Sequence, residues 1–103
     1  MDLSIATTND DASWQIVVTG EVDVSNAGEL RAAVDRAFEA SASSVELDLA
    51  QVSYIDSTGI GVLVGASHRA QETGTKLVVA RPQANVRRVL GLLGVDKELK
   101  ISE

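Results

Sequence analysis

The stretch Tyr54-Ile55-Asp56-Ser57-Thr58-Gly59-Ile60-Gly61-Val62-Leu63-Val64 runs from strand-forming residues, through one acid, two hydroxyls and two glycines, into an apolar run. Tyr and Ile suit a strand. Ile60, Leu63, Val64 and Ser67 then recur at helical spacing. Asp, Ser and Thr at the junction are the residue types that start helices. The stretch therefore reads as a strand passing directly into a helix. Downstream, Gly74 is placed to end that helix, and Lys76-Leu77-Val78-Val79-Ala80 reads as a buried strand. Strand, helix, strand in this order implies a parallel crossover.

Upstream, Val45-Glu46-Leu47-Asp48-Leu49 alternates apolar with acidic, as a strand with one covered face does. Leu3, Ile5 and Thr7 alternate with Ser4, Ala6 and Thr8, and past Asn9-Asp10-Asp11 the run Trp14 to Thr19 is rich in strand formers, which predicts a hairpin. Asn26, with Glu29 three positions on, predicts a capped helix carrying Leu30, Ala33, Val34, Ala37 and Phe38. Past Arg81-Pro82, the residues Val86, Val89, Leu90 and Leu93 predict a third amphipathic helix, closed by Gly94 with Val95 packing back on it. Leu99 and Ile101 suggest a last short strand. The expected fold is α/β: a mixed sheet of about five strands with three or four helices packed on it, in a single domain spanning residues 1–103.

Gly59, Gly61 and Gly65 together should cost about 3 kcal/mol relative to alanine in a helix interior. Close packing on the sheet offsets such a cost, and so does close approach of another molecule. Packing is the expectation for Gly65, whereas Gly61 fits either. The hydroxyls of Ser57 and Thr58 stand where helix-start N–H groups need acceptors, so both read as caps. One cap suffices, however. The other hydroxyl can face solvent, where a phosphate would meet the helix dipole and free N–H groups, opposed by Asp56.

Catalytic readings fail on distance and pattern. The one histidine, His68, lies eleven residues beyond Ser57 on the same predicted helix, roughly 16 Å away at 1.5 Å per residue. That excludes a Ser-His-Asp triad within the chain and leaves His68 an ordinary surface or partly buried residue. Ile55 stands where a nucleophile elbow needs glycine. The glycine spacing misses the dinucleotide-loop pattern by one residue, no phosphate-loop lysine follows, and Asp48, Asp56 and Glu72 lack metal-ligand spacing. Neither an enzyme nor a cofactor-binding protein is expected.

Composition narrows the class further. A net charge of −6 in 103 residues argues against phosphate backbones and anionic lipid as partners. Trp14, Phe38 and Tyr54 are the only aromatics, too few for base-stacking platforms. Without cysteine there is no disulfide or thiolate chemistry, which fits a reducing compartment. The first residues lack a basic start and a long apolar segment, and no apolar run approaches the ~20 residues of a membrane span. A cytoplasmic location is expected.

YIDSTGIGVLV resembles the core motif of the STAS domain family: an aromatic or apolar residue, Ile or Met, then Asp-Ser-Ser/Thr-Gly-Leu/Ile-Gly-Val. Gly20-Glu21-Val22-Asp23, and Gly74 ahead of the Lys76 strand, support the match, which spans nearly the whole chain. Within that family the chain is most similar to the bacterial anti-sigma factor antagonists. Some members continue into a further helix beyond the point corresponding to Ile101-Ser102-Glu103.

The resemblance implies a partner-switching regulator of transcription that does not touch DNA. Ser57 would be phosphorylated by an anti-sigma factor that is also an ATP-dependent serine kinase, and a serine phosphatase would reverse this. The unphosphorylated chain would hold the anti-sigma factor and free the sigma factor; the phosphorylated chain would let go. Thr58 would support the helix start. Asp23 would lie near the site on the neighbouring loop, although a strand-end turn residue is an equal reading. Asp56, Gly59, Ile60 and Gly61 would complete the partner-facing surface, and Val62, on the side of the helix away from Leu63 and Val64, would extend it. Two other roles fit the same sequence: a STAS subunit of a lipid-transport or stress-sensing complex that docks without a kinase, and a small-ligand or nucleotide sensor using the helix start as an anion site.

Overall fold

The computed structural model describes residues 2–103. In chain order the elements are β1 (Leu3–Asp10), β2 (Ser13–Val22), α1 (Ala27–Glu39), β3 (Ser44–Ile55), α2 (Ser57–Thr73), β4 (Lys76–Ala80), α3 (Ala84–Leu92) and β5 (Ile101–Ser102). They build a five-stranded sheet in the order β1-β2-β3-β4-β5. β1 and β2 are antiparallel; the other pairs are parallel. The expected mixed sheet is therefore present, with three helices among the described residues.

Alternation decides which face is covered. Ile16 and Val18 on β2, Val45, Leu47 and Leu49 on β3, and Leu77 and Val79 on β4 are all buried. Their neighbours Gln15, Glu46, Asp48 and Val78 point to the other face, which stays open. A fully buried Leu or Val contributes about 1.5–3 kcal/mol, so the helix-covered face holds the sheet together.

β3 is longer than its alternation predicts. Its register with β2 shifts between Val17 and Thr19 and again between Gly20 and Glu21, each shift adding a residue on the β3 side. Those bulges change the phase, which is why Val52 and Ile55 both reach the core after Leu49. They also carry β3 on to Ile55 and aim its end at the start of α2.

Helix α1 buries Leu30, Ala33, Val34, Ala37 and Phe38 as its spacing predicts. Its start differs from expectation. The Asn26 side chain makes no capping bond to the helix; its Oδ1 accepts the Asp23 N–H at 2.9 Å and its Nδ2 donates to the Glu21 carbonyl at 2.9 Å. Asn26 thus ties the β2–α1 loop back to the strand.

Helix α2 is covered on two flanks, with Ile60, Leu63 and Ser67 buried on one and Val62, Ala66 and Ala70 on the other. The buried Ser67 hydroxyl donates to the Glu98 carbonyl at 3.0 Å. Gly74, at φ 74°, ends the helix as predicted. Past α3, Gly94 at φ 72° lets the Val95 N–H reach the Leu90 carbonyl at 3.1 Å, and Val95 packs against the core. On α3 only Val86 and Leu90 are buried; Val89 and Leu93 are exposed.

Candidate functional site

At the carboxyl end of the sheet, two strand-to-helix junctions lie side by side. Val22 pairs with Ile55, and the Asp56 N–H donates to the Val22 carbonyl at 3.1 Å. Asp56 leaves β3 in an extended conformation, and its carboxylate accepts the Gly59 N–H at 3.1 Å. Its carbonyl accepts the Ile60 N–H at 2.9 Å, the first bond of α2. Asp56 is therefore the cap that sequence reasoning assigned to Ser57 and Thr58.

That correction leaves both hydroxyls without a capping task. Ser57 and Thr58 occupy the first two positions of α2 and are exposed. Their N–H groups have no intrahelical acceptor. Ser57 thus presents a hydroxyl to solvent beside the positive end of a 17-residue helix.

Gly59 explains why the helix can start there. A Cβ on it would sit 2.7 Å from Val22 Cγ1 and 2.7 Å from Ile55 Cγ1, inside the contact distance of both side chains. Its glycine is a packing requirement, not an opening for a partner. Ile60 and Val62 are likewise buried, at 4% and 5% exposure. Gly59, Ile60 and Val62 are therefore not surface, contrary to the sequence expectation. Val62 faces α1 because α1 packs on that flank of α2, a contact that helical spacing alone does not reveal.

Gly61 and Gly65 behave in the opposite way. Beyond the chain neighbours and the helix's own backbone, no atom lies within 4 Å of a Cβ built on either, so the packing expected at Gly65 is not found. Both line a cavity of about 300 Å³ between α1 and α2, together with Arg31, Val34 and Arg69. Arg69 is paired with Asp35 at 2.6 Å and lies 4.7 Å from the Phe38 ring centre.

The neighbouring loop is held by Asp23. One carboxylate oxygen accepts the Ser25 hydroxyl at 2.5 Å and the Ser25 N–H at 2.9 Å. The Asp23 carbonyl accepts the N–H groups of Asn26 and Ala27. The Ser25 hydroxyl bond holds the carboxyl of Asp23 below its ordinary range, so the loop carries a fixed negative charge. Asp23 is thus a turn residue, on the loop joined to the α2 start through Val22 and Asp56. Sequence reasoning missed two apolar side chains here: Val24, 75% exposed on the same loop, and Tyr54, 44% exposed at the end of β3. Val24 continues the alternation of Ile16, Val18 and Val22, so nothing in the sequence pattern set it apart as exposed. The β3 bulges hid Tyr54.

Among the described residues no cluster of His, Asp or Glu is placed to hold a metal, and no helix is long and apolar enough to cross a membrane. The site can offer a hydroxyl to a visiting phosphoryl donor.

Comparison with known proteins agrees with this architecture. The STAS domain profile matches residues 4–103. An anti-sigma-B factor antagonist of Staphylococcus epidermidis is 28% identical over 103 residues, covering 100% of this chain and 95% of that protein. The crystal structure of an anti-sigma factor antagonist from Mycobacterium paratuberculosis superposes with a TM-score of 0.88 at 22% identity, covering 98% of this chain and 86% of that one. The Bacillus cell fate determinant SpoIIAA in its phosphorylated form superposes at 0.76 with 18% identity, covering 97% and 92%. With its mixed sheet, its Asp56-capped helix and a profile match over almost its full length, the chain belongs to the STAS domain family.

Proposed function

We propose that this chain is an anti-sigma factor antagonist switched by a phosphate on Ser57. The observation that carries the reading is the division of labour at the α2 start: Asp56 caps the helix, so the exposed Ser57 hydroxyl has no structural duty. Relatives named as anti-sigma-B factor antagonists cover the same length, and a protein of this fold is known in a phosphorylated form.

In this reading the partner is an anti-sigma factor with serine kinase activity. It passes the terminal phosphoryl group of ATP to the Ser57 oxygen; ADP leaves, and the hydroxyl proton goes to a base on the kinase. A serine phosphatase restores the hydroxyl by hydrolysis. The chain is the substrate of both reactions and catalyses neither. It acts in the cytoplasm as a single STAS domain and controls transcription without touching DNA.

The docking surface consists of Ser57, Thr58 and Gly61 on α2 and the Asp23–Val24 loop, with Tyr54 beside them. A phosphoserine brings about −1.5 to −2 charges to a face that already carries Asp23 and Asp56. One added like-charge pair at 4 Å contributes about 1 kcal/mol in water and about 4 kcal/mol at an effective dielectric of 20, a five-fold to thousand-fold loss of affinity. No refolding is needed.

Substitution tests this directly. Ser57→Ala should bind the anti-sigma factor as tightly as the native chain and resist release by ATP, whereas Ser57→Asp should bind at least five-fold more weakly. Equal affinity of the two variants in calorimetry would contradict the reading.

A further inference from the structure

The sheet has two edges of very different character. β5 is two residues long, but β1 is eight and pairs only with β2. β1 carries no proline, no lysine and no bulge in its register, and its one charge is Asp10 at the end. The usual protections of an edge strand are absent.

The register identifies the open groups. Asp10 pairs with Ser13 across a two-residue turn, and the Glu21 N–H reaches the Asp2 carbonyl at 3.0 Å. Hydrogen-bonded pairs alternate along an antiparallel ladder, so the even-numbered residues of β1 bond to β2. The N–H and C=O groups of Leu3, Ile5, Thr7 and Asn9 therefore point away from the sheet.

Above this edge lies a cavity of about 280 Å³ lined by Ile5, Thr7, Glu29, Ala32, Ala33 and Arg36. Glu29 and Arg36 stand two turns apart on one face of α1, with Ala32 and Ala33 between them. Charges of opposite sign thus flank the centre of the strand.

We infer that β1 is a self-association edge: two copies pair β1 with β1 antiparallel about a two-fold axis near Ala6. Ile5 then exchanges backbone bonds with the second copy's Thr7, and Leu3 with its Asn9, giving about eight hydrogen bonds. α1 connects the parallel strands β2 and β3, so it runs antiparallel to β2 and parallel to β1. The two-fold axis sets the two α1 helices antiparallel on the same face of the joined sheet. Each α1 lies over β1 and β2. A strand spacing of about 4.8 Å then separates the helix axes by about 10 Å, a normal helix-packing distance, with alanines in between. Glu29 of each copy faces Arg36 of the other. The same patch supplies both halves of the match, which is the mark of a symmetric interface and favours a second copy over a foreign strand.

Sedimentation equilibrium of the full chain between about 1 μM and 1 mM should show reversible dimerisation. Thr7→Pro removes an N–H that points outward, a change edge strands tolerate, and should weaken the dimer at least ten-fold while the monomer stays folded. Arg36→Glu should weaken it about five-fold, and the double swap Glu29→Arg/Arg36→Glu should restore it to within about two-fold of native. A native chain that stays monomeric at about 1 mM would overturn the proposal and leave the edge to a foreign strand. Indifference to Thr7→Pro, or Arg36→Glu without rescue by the swap, would overturn it too. Ser57 follows β3, two strands in from this edge, so failure here leaves the phosphate switch untouched.

Discussion

At the scale of single residues, three glycines in one helix fall into two kinds of surroundings: Gly59 is packed, and Gly61 and Gly65 are open. Gly59 lies against Val22 and Ile55, two β-branched side chains with little freedom to move, so Gly59→Ala should destabilise the fold by about 1–3 kcal/mol. Gly61 has open space where its side chain would be, so Gly61→Ala should stabilise it by up to about 1 kcal/mol. Urea unfolding of both variants checks the pair; a stabilising Gly59→Ala would refute the packing account. An exposed glycine that lowers stability next to Ser57 is consistent with a surface kept flat for docking. The motif itself was legible in the sequence, because Asp, Ser and Thr announce a helix start whatever surrounds them. Which of them caps was not, since it depends on the extended backbone of Asp56 turning its carboxylate onto Gly59.

At the scale of elements, the order of strands and helices followed from alternation, spacing and the glycines that end α2 and α3. It became illegible where tertiary contacts override periodicity. The bulges of β3 put Val52 and Ile55 in the core and left Tyr54 outside, and the packing of α1 on α2 buried Val62. One element junction carries its own prediction. Arg81, in a left-handed conformation at φ 53°, ties β4 to β3 through Glu46 at 2.7 Å and Asp48 at 2.9 Å. Its hydrogen bonds hold both carboxyls below their ordinary range and raise its own pKa. A carboxyl depressed in the folded state stabilises above its unfolded pKa, near 4, and that contribution fades as pH falls through the lower folded value. Arg81→Ala should therefore melt below the native chain at pH 7. The gap should close as the pH falls from about 5 to below about 3. A gap that is constant across this range in thermal melts would rule out the carboxylates as its source.

At the scale of the whole molecule, the sheet holds two helix starts side by side and exposes the Ser57 and Thr58 hydroxyls just ahead of Gly59 and Gly61. Two features matter for a switch: the Ser57 hydroxyl carries no structural load, and the backbone around it is fixed by bonds from Asp56, Asp23 and Asn26 that do not involve Ser57. Modification should change the surface and leave the fold alone. The most direct measurement is calorimetric titration of the anti-sigma factor with the native chain and with the same chain stoichiometrically phosphorylated on Ser57. Affinity should fall between five-fold and a thousand-fold on phosphorylation. Equal dissociation constants for the two forms would contradict the phosphate switch.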